Sequence, residues 1–309
     1  MIERKKRIEW IDALKGFGMI LVILGHMTIP QMARRCIFSF HMPLFFFVSG
    51  YLYGGKYSWA WVARKAKTLL IPYAVYGLAA IGVIWLTGNG GVEPSVQSFV
   101  RGNGVGVTWF LTCLFMVEVI GGGLIWISRK FKNWQYWVMV LGVAVVGIMF
   151  PKLCLCEVLK SQSVFAAFAF WLVGYGLKNV DLNCRWFSFA VVPASFVWFQ
   201  RVDVQSASFG NPIWFYTVAL GAILALAQLF SHFDIKWRWL RFVGERSLEF
   251  MCLHAIIPML VTWAAMNVVG CISPILKGAL RILALGLVVL ASDCAYRMTR
   301  RSKNEALRA

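Results

Sequence analysis

Lys15 and His26 bracket the apolar run "LKGFGMILVILGHM" (Leu14 to Met27). Eleven residues are almost three helical turns, so both side chains project from one face, about 16 Å apart along the axis. Asp12 lies one turn before Lys15 and can pair with it. The next apolar segment, "CIFSFHMPLFFFVSGYLYGG", carries His41 roughly 7 Å from its outer end, the depth at which His26 lies in the first. Two imidazoles at one level suit proton transfer, because histidine titrates near neutral pH. Taken one at a time, these residues have an ordinary reading: a snorkelling lysine and a hydrogen-bonded core histidine. Pro43 removes a backbone donor and leaves a carbonyl of the preceding turn to bond elsewhere or line a cavity. Gly50 and Gly54 form a GxxxG pair suited to close helix packing.

Other polar residues sit where lipid would penalise them. Glu118 lies about ten residues into the fourth apolar segment, placed to pair with a histidine, with Arg281 or in a structural ion pair. Arg281, in the outer half of the last segment, either binds an anionic group or snorkels outward. Glu249, near an inner end, reads as a local charge partner, and His254 as a core histidine. Trp109 and Phe110 could stack on a sugar ring or belong to the interfacial aromatic belt. His232, in an inner loop, has no assignment.

The elements that carry these residues follow from composition. Apolar residues make up 60% of the 309 and charged residues 14%, the profile of an integral membrane protein. A hydrocarbon core roughly 30 Å thick takes about 20 helical residues to cross. Segments of that order predict ten helices, at 12–30, 36–54, 69–87, 108–127, 134–150, 164–178, 187–200, 211–230, 247–268 and 274–294. The expected fold is an all-α bundle of about ten transmembrane helices, a single membrane domain over 1–309 with no appended soluble domain. The net charge of +18 would suit nucleic acid, but its distribution does not. With the N-terminus inside, about 22 of the Lys and Arg residues fall in inner loops and tails and about 7 in outer loops, a positive-inside bias that puts both termini in the cytoplasm. Part of that charge could also attract anionic membrane lipid.

Residues 1–30 imitate a signal peptide without a convincing cleavage site and read as the first membrane helix. Cys154 and Cys156 are too close to bridge each other and have no histidine nearby for a metal. The loop 87–107 is glycine-rich and reads as a flexible connector or mobile lid; its "GNGVGV" lacks the strand and spacing of a nucleotide fingerprint. The inner loop 231–246 alternates aromatic and basic residues, as a helix in the headgroup layer would.

Four stretches in order, "IDALKGFGMILVILGH", "FSFHMPLFFFVSGYL", "TWFLTCLFMVEVI" and "GERSLEFMCLHAIIP", resemble the acyltransferase family 3 of bacterial membrane O-acyltransferases, in a version similar to the fucose and sugar O-acetyltransferases. The resemblance implies a ten-helix, multi-pass protein of the bacterial inner membrane that moves an acyl group, usually acetyl from cytoplasmic acetyl-CoA, onto hydroxyls of surface or exported glycans. By position it makes His26 the catalytic histidine, and matches His41, Trp109 and His254 to the histidine, tryptophan and histidine of the later motifs. Lys15 stands where many members have arginine, and a lysine lacks the bidentate fork that grips a phosphate.

Residues and resemblance together lead to one expected mechanism. Acetyl-CoA binds at the inner face, with Asp12, Lys15, Arg64, Lys65 and Lys67 forming its site and the cations holding its phosphates. The pantetheine arm reaches along the first helix to His26, which takes the proton of a sugar hydroxyl. His41 orients His26, positions the acceptor or stabilises the oxyanion. Trp109, Glu118, His254 and Arg281 complete the acceptor side, and no metal is required. The acceptor is a glycan or lipid-linked sugar of unspecified identity. A secondary transporter using the buried charges is the rival reading, but it calls for inverted-repeat halves, and the histidine motifs crowd into the first two helices.

Overall fold

The computed structural model describes residues 8–153, 158–180, 201–269 and 274–305. Eleven α-helices occur among them: α1 (Glu9–Gly25), α2 (Gln31–Leu52), α3 (Trp59–Thr87), α4 (Val92–Val100), α5 (Trp109–Ile127), α6 (Asn133–Leu153), α7 (Ser161–Leu177), α8 (Pro212–His232), α9 (Arg238–Glu245), α10 (Ser247–Val269) and α11 (Pro274–Glu305). No strand occurs among the described residues, where Asp203 and Ser208 make an isolated antiparallel bridge. Among the described residues seven helices are long and apolar enough to cross a membrane. That is fewer than the ten expected. α1 and α7 each have 17 residues, a rise of about 25 Å against a hydrocarbon core of roughly 30 Å, and the segment 187–200 lies outside the described residues, as do Arg4 to Arg7, Cys154 and Cys156.

Local sequence explains the helix ends. Glu9 and Asp12 occupy the first turn of α1, where negative charge complements the helix dipole. Asn211 caps α8 by accepting from the Trp214 amide at 3.2 Å, and Pro212 follows at the first helical position. Between α8 and α9, Asp234 bonds the Lys236 ammonium and raises its pKa.

The helices form two compact units, Met1–Lys67 with Cys113–Glu245 and Thr68–Thr112 with Arg246–Ala309. In the first, α1 packs on α2, α8 and α9, while α2 also packs on α7 and α8, and α6 on α7. Glycines set the closest crossings. A Cβ on Gly50 would stand 1.9 Å from the Trp171 carbonyl oxygen, and one on Gly174 would stand 2.1 Å from that of Phe47. Gly50 therefore finds its small partner on α7 rather than in Gly54, which lies exposed beyond the end of α2. α1 and α9 cross as tightly through Gly16 and Gly244, whose added Cβ atoms would meet the Leu240 and Asp12 carbonyl oxygens. α9 buries Leu240 and Gly244, while its Trp239 and the preceding Trp237 are exposed and stacked, consistent with the amphipathic helix expected in that loop.

In the second unit α10 packs on α11 and on the 3-10 turn Gly106–Thr108. The glycine-rich stretch 87–107 is not the loose connector expected. It contains α4, and the Phe99 ring stacks on Tyr73 at 5.0 Å while the Tyr73 hydroxyl donates to the Phe99 carbonyl at 2.6 Å. Gly77 leaves room for that ring. Val105 completes a small core with Ala80, Val83 and Ile256.

The α2–α7 crossing yields a direct test. Gly174→Ala is expected to destabilise the protein by about 1–3 kcal/mol through overpacking. Gly142→Ala, in α6 with nothing within 4 Å of its added Cβ, should instead be neutral or stabilise by about 0.5–1 kcal/mol. Thermal unfolding of the two variants in detergent measures the difference in sign.

Candidate active site

His26 is the C-cap of α1 and is exposed at the helix end rather than enclosed among helices. Its Nδ1 lies 2.9 Å from the Val22 carbonyl. A carbonyl can only accept, so Nδ1 carries the hydrogen and Nε2 is the basic nitrogen of the neutral ring. His41 repeats the arrangement inside α2, with Nδ1–H donating to the Ile37 carbonyl at 2.8 Å, but it is buried. The Phe38 ring packs on both imidazoles, with centroids 6.0 Å from His26 and 4.9 Å from His41. Both imidazoles thus lie against one aromatic ring. Arg34 donates to the Met27 carbonyl at 2.8 Å and ties down the turn between the helices.

At the other end of α1, the Lys15 ammonium donates to Asp12 Oδ1 at 2.9 Å, the pairing the sequence spacing implied. The tight α9 crossing lies over this same turn. Arg241 of α9 also pairs with Glu9 at 3.1 Å. Arg64 and Lys67, near the start of α3, are exposed.

Lys65 is placed differently from its expected role as a phosphate ligand. Its Nζ donates to Glu118 Oε1 at 2.7 Å, and the Ser49 hydroxyl donates to the same oxygen at 2.5 Å. Glu118 is 4% exposed and Lys65 is partly open, its side chain 33% exposed. Of the partners the sequence left open for Glu118 (a histidine, Arg281 or a structural ion pair) the structure shows an ion pair, its Oε1 held by Lys65 and Ser49. An ionised carboxylate in an apolar bundle needs such compensation. Ser49 was missed in the sequence, although a hydroxyl beside Gly50 in the run "FFFVSGYL" is a polar interruption that could have been weighed. Around the cluster stand Tyr53, Tyr57, Trp61, Trp171 and Tyr175, with Lys178 donating to the Tyr53 carbonyl at 3.0 Å.

The remaining site residues belong to the second unit. Trp109 and Phe110 are both buried, neither a belt facing lipid nor an open stacking platform. His254 is buried in α10, its Nδ1 2.9 Å from the Met251 carbonyl and 3.1 Å from that of Phe250. Glu249 is buried in the first turn of that helix. Arg281 is exposed, as a snorkelling side chain would be.

These features are those of a multi-pass helical membrane protein with a histidine at one end of its first helix and an ion pair at the other. A family model described as an acyltransferase domain matches residues 8–295, and the chain belongs to that family, acyltransferase family 3. Nodulation protein NolL of Sinorhizobium fredii is similar, 28% identical over 177 residues that cover 52% of this chain and 47% of that protein. The chain thus spans about half the length of this curated relative. No solved structure matches it.

Lys65→Met leaves the Glu118 charge with Ser49 as its compensation. The expected loss is about 1–3 kcal/mol, between values for exposed and fully buried pairs. Adding Glu118→Met should recover most of it, because the charge needing a partner is gone. A double-mutant cycle on unfolding measures the coupling, and additive losses would contradict the pairing.

Proposed function

We propose that this protein is a membrane O-acyltransferase of the bacterial inner membrane. It carries acetyl from cytoplasmic acetyl-CoA to a hydroxyl of a surface or exported glycan, or of its lipid-linked sugar precursor. The supporting observation is the geometry of α1 in a chain of this family. A histidine with Nε2 as its basic nitrogen stands at one end, and the Asp12–Lys15 pair stands about three turns away.

In this reading Lys15, Arg64 and Lys67 hold the phosphates of the donor. Asp12 orients Lys15, and Lys65 serves through Glu118 rather than by touching phosphate. His26 Nε2 takes the proton of the acceptor hydroxyl as its oxygen forms a bond to the thioester carbonyl carbon. The tetrahedral adduct collapses, the carbon–sulfur bond breaks, and the imidazolium returns its proton to the departing thiolate. His41 is a positioning residue that acts through Phe38, which both rings touch. Trp109, His254 and Arg281 keep in this reading the acceptor-side role that the family motifs and their chemistry suggest.

The test is incubation of membranes with radiolabelled acetyl-CoA and glycan fractions of the host. Label should enter a glycan with the wild type, and His26→Ala should lower the rate by about 100-fold or more at equal protein level. Full transfer by His26→Ala would rule out its role as base. Lys15→Met should raise the KM for acetyl-CoA by about 3- to 10-fold and change kcat less, the mark of a lost ground-state phosphate contact.

A further inference from the structure

Lys15, Lys65, Arg241 and Arg246 each have a carboxylate oxygen within 3.1 Å. Among the described residues neither Arg34 nor Arg35 has one. No Asp or Glu occurs in the chain between Asp12 and Glu93, and the first turn of α2, which the two arginines close, holds no acid. Its N-cap, Pro30, gives the leading amides no side-chain acceptor. Two guanidiniums that never lose their charge thus stand at the positive end of a helix dipole, where cations are unfavourable. By the positive-inside count they also fall on the cation-poor side of the membrane. An anion at this turn would answer the charge of both.

The pair is anchored beside His26. Arg34 Nη2 donates to the Met27 carbonyl at 2.8 Å, and Met27 follows His26, so the guanidinium is tied to the turn that carries the imidazole. Both side chains are exposed. That carbonyl takes one of five N–H groups, and the planar fork keeps the others for a carboxylate or a phosphate. Arg35 brings a second guanidinium at the next position, and its Nε is buried with no hydrogen-bond partner, a donor left unmet at a cost in free energy. The place is open rather than enclosed, which suits a sugar chain that lies along a surface and presents one hydroxyl to the base.

We infer that Arg34 and Arg35 form an anion subsite beside His26, and that the acceptor carries a carboxylate or phosphate near the hydroxyl that is acylated. The inference rests on the transfer reading above, with His26 as base. A neutral sugar gains nothing from two positive charges. An anionic one is gripped by the guanidinium fork, which fixes its ring relative to Nε2.

The test uses membranes holding the full chain, radiolabelled acetyl-CoA and two host preparations, aqueous glycans and solvent-extracted lipid-linked sugars. Each preparation is split on an anion exchanger into retained and unretained fractions. Label should enter a retained fraction, the aqueous one if the anion is a sugar acid and the extracted one if it is the phosphate of the lipid link. Arg34→Gln and Arg35→Gln should each raise the KM for that fraction by about 3- to 10-fold and change kcat less. Arg34→Lys keeps the charge without the fork and should fall between. Arg34 is the one that bonds the Met27 carbonyl, so Arg35→Gln separates lost binding from a loosened turn. Label confined to unretained fractions, or an unchanged KM in both glutamine variants, would overturn the subsite while leaving the transferase reading intact. So would an effect of the variants that vanishes when vesicles containing phosphatidylglycerol are replaced by phosphatidylcholine alone, because the arginines would then serve lipid headgroups. Absence of label from every fraction would overturn the transfer reading itself.

Discussion

A carboxylate inside an apolar bundle must be matched by a proton, a cation or hydrogen bonds, because neither lipid nor packed side chains replace its water shell. Glu118 meets that demand with Lys65 and Ser49 on a single oxygen. The arrangement pins α2, α3 and α5 together, since each supplies one member. The consequence runs along α2. Ser49 is two turns from His41, and Gly50 next to it makes the close crossing with α7. One polar contact and one glycine contact thus fix the rotation and height of the helix that carries His41 and Phe38.

Glycine performs the same task at the other two helices of interest. Between lipid-embedded helices no hydrophobic force favours one register over another, so close backbone contact and polar pairing must select it. At the α1–α9 crossing, Gly16 and Gly244 bring the Leu240 and Asp12 carbonyls so near that a methyl group has no room. The short amphipathic helix is thereby locked to the turn of α1 that bears Asp12 and Lys15. Its exposed Trp237 and Trp239 suit a membrane boundary. The position of Lys15 relative to that boundary is then set by packing rather than by the reach of a flexible side chain.

Features local in sequence were legible, and those made across it were not. Hydropathy placed most long helices within a few residues, and the spacing of Asp12 and Lys15 gave their pair, because a helix puts residues three apart side by side. The partners of Glu118 lie 53 and 69 residues away in the chain. No period links them, so the sequence could offer a structural ion pair beside a histidine or Arg281 but could not name Lys65 or Ser49 as the partners. Trp109 shows a second kind of failure. A tryptophan at a helix start reads the same in sequence whether it faces a headgroup, a sugar or a core, and here it is buried. The stretch 87–107 shows a third. Its glycines signal freedom, yet Tyr73 and Phe99 tie it to α3 through one stacked pair and one hydrogen bond, contacts that no composition announces.

The shortness of α1 bears on how a cytoplasmic thioester and an exported acceptor could meet. Seventeen residues rise about 25 Å, against roughly 30 Å of hydrocarbon. A helix that begins near one surface with Glu9 and Asp12 therefore stops before the other, and His26 stands at that stopping point with its Nδ1 fixed by Val22. On the proposed reading the donor would enter by the length of its arm, and the acceptor would have only the remaining few ångströms to descend. A full-length first span would carry the imidazole to the far surface and leave the thioester out of reach. The basic nitrogen is placed by where α1 ends, and α1 ends at Gly25, where the Phe38 ring packs so closely that a side chain would collide with it.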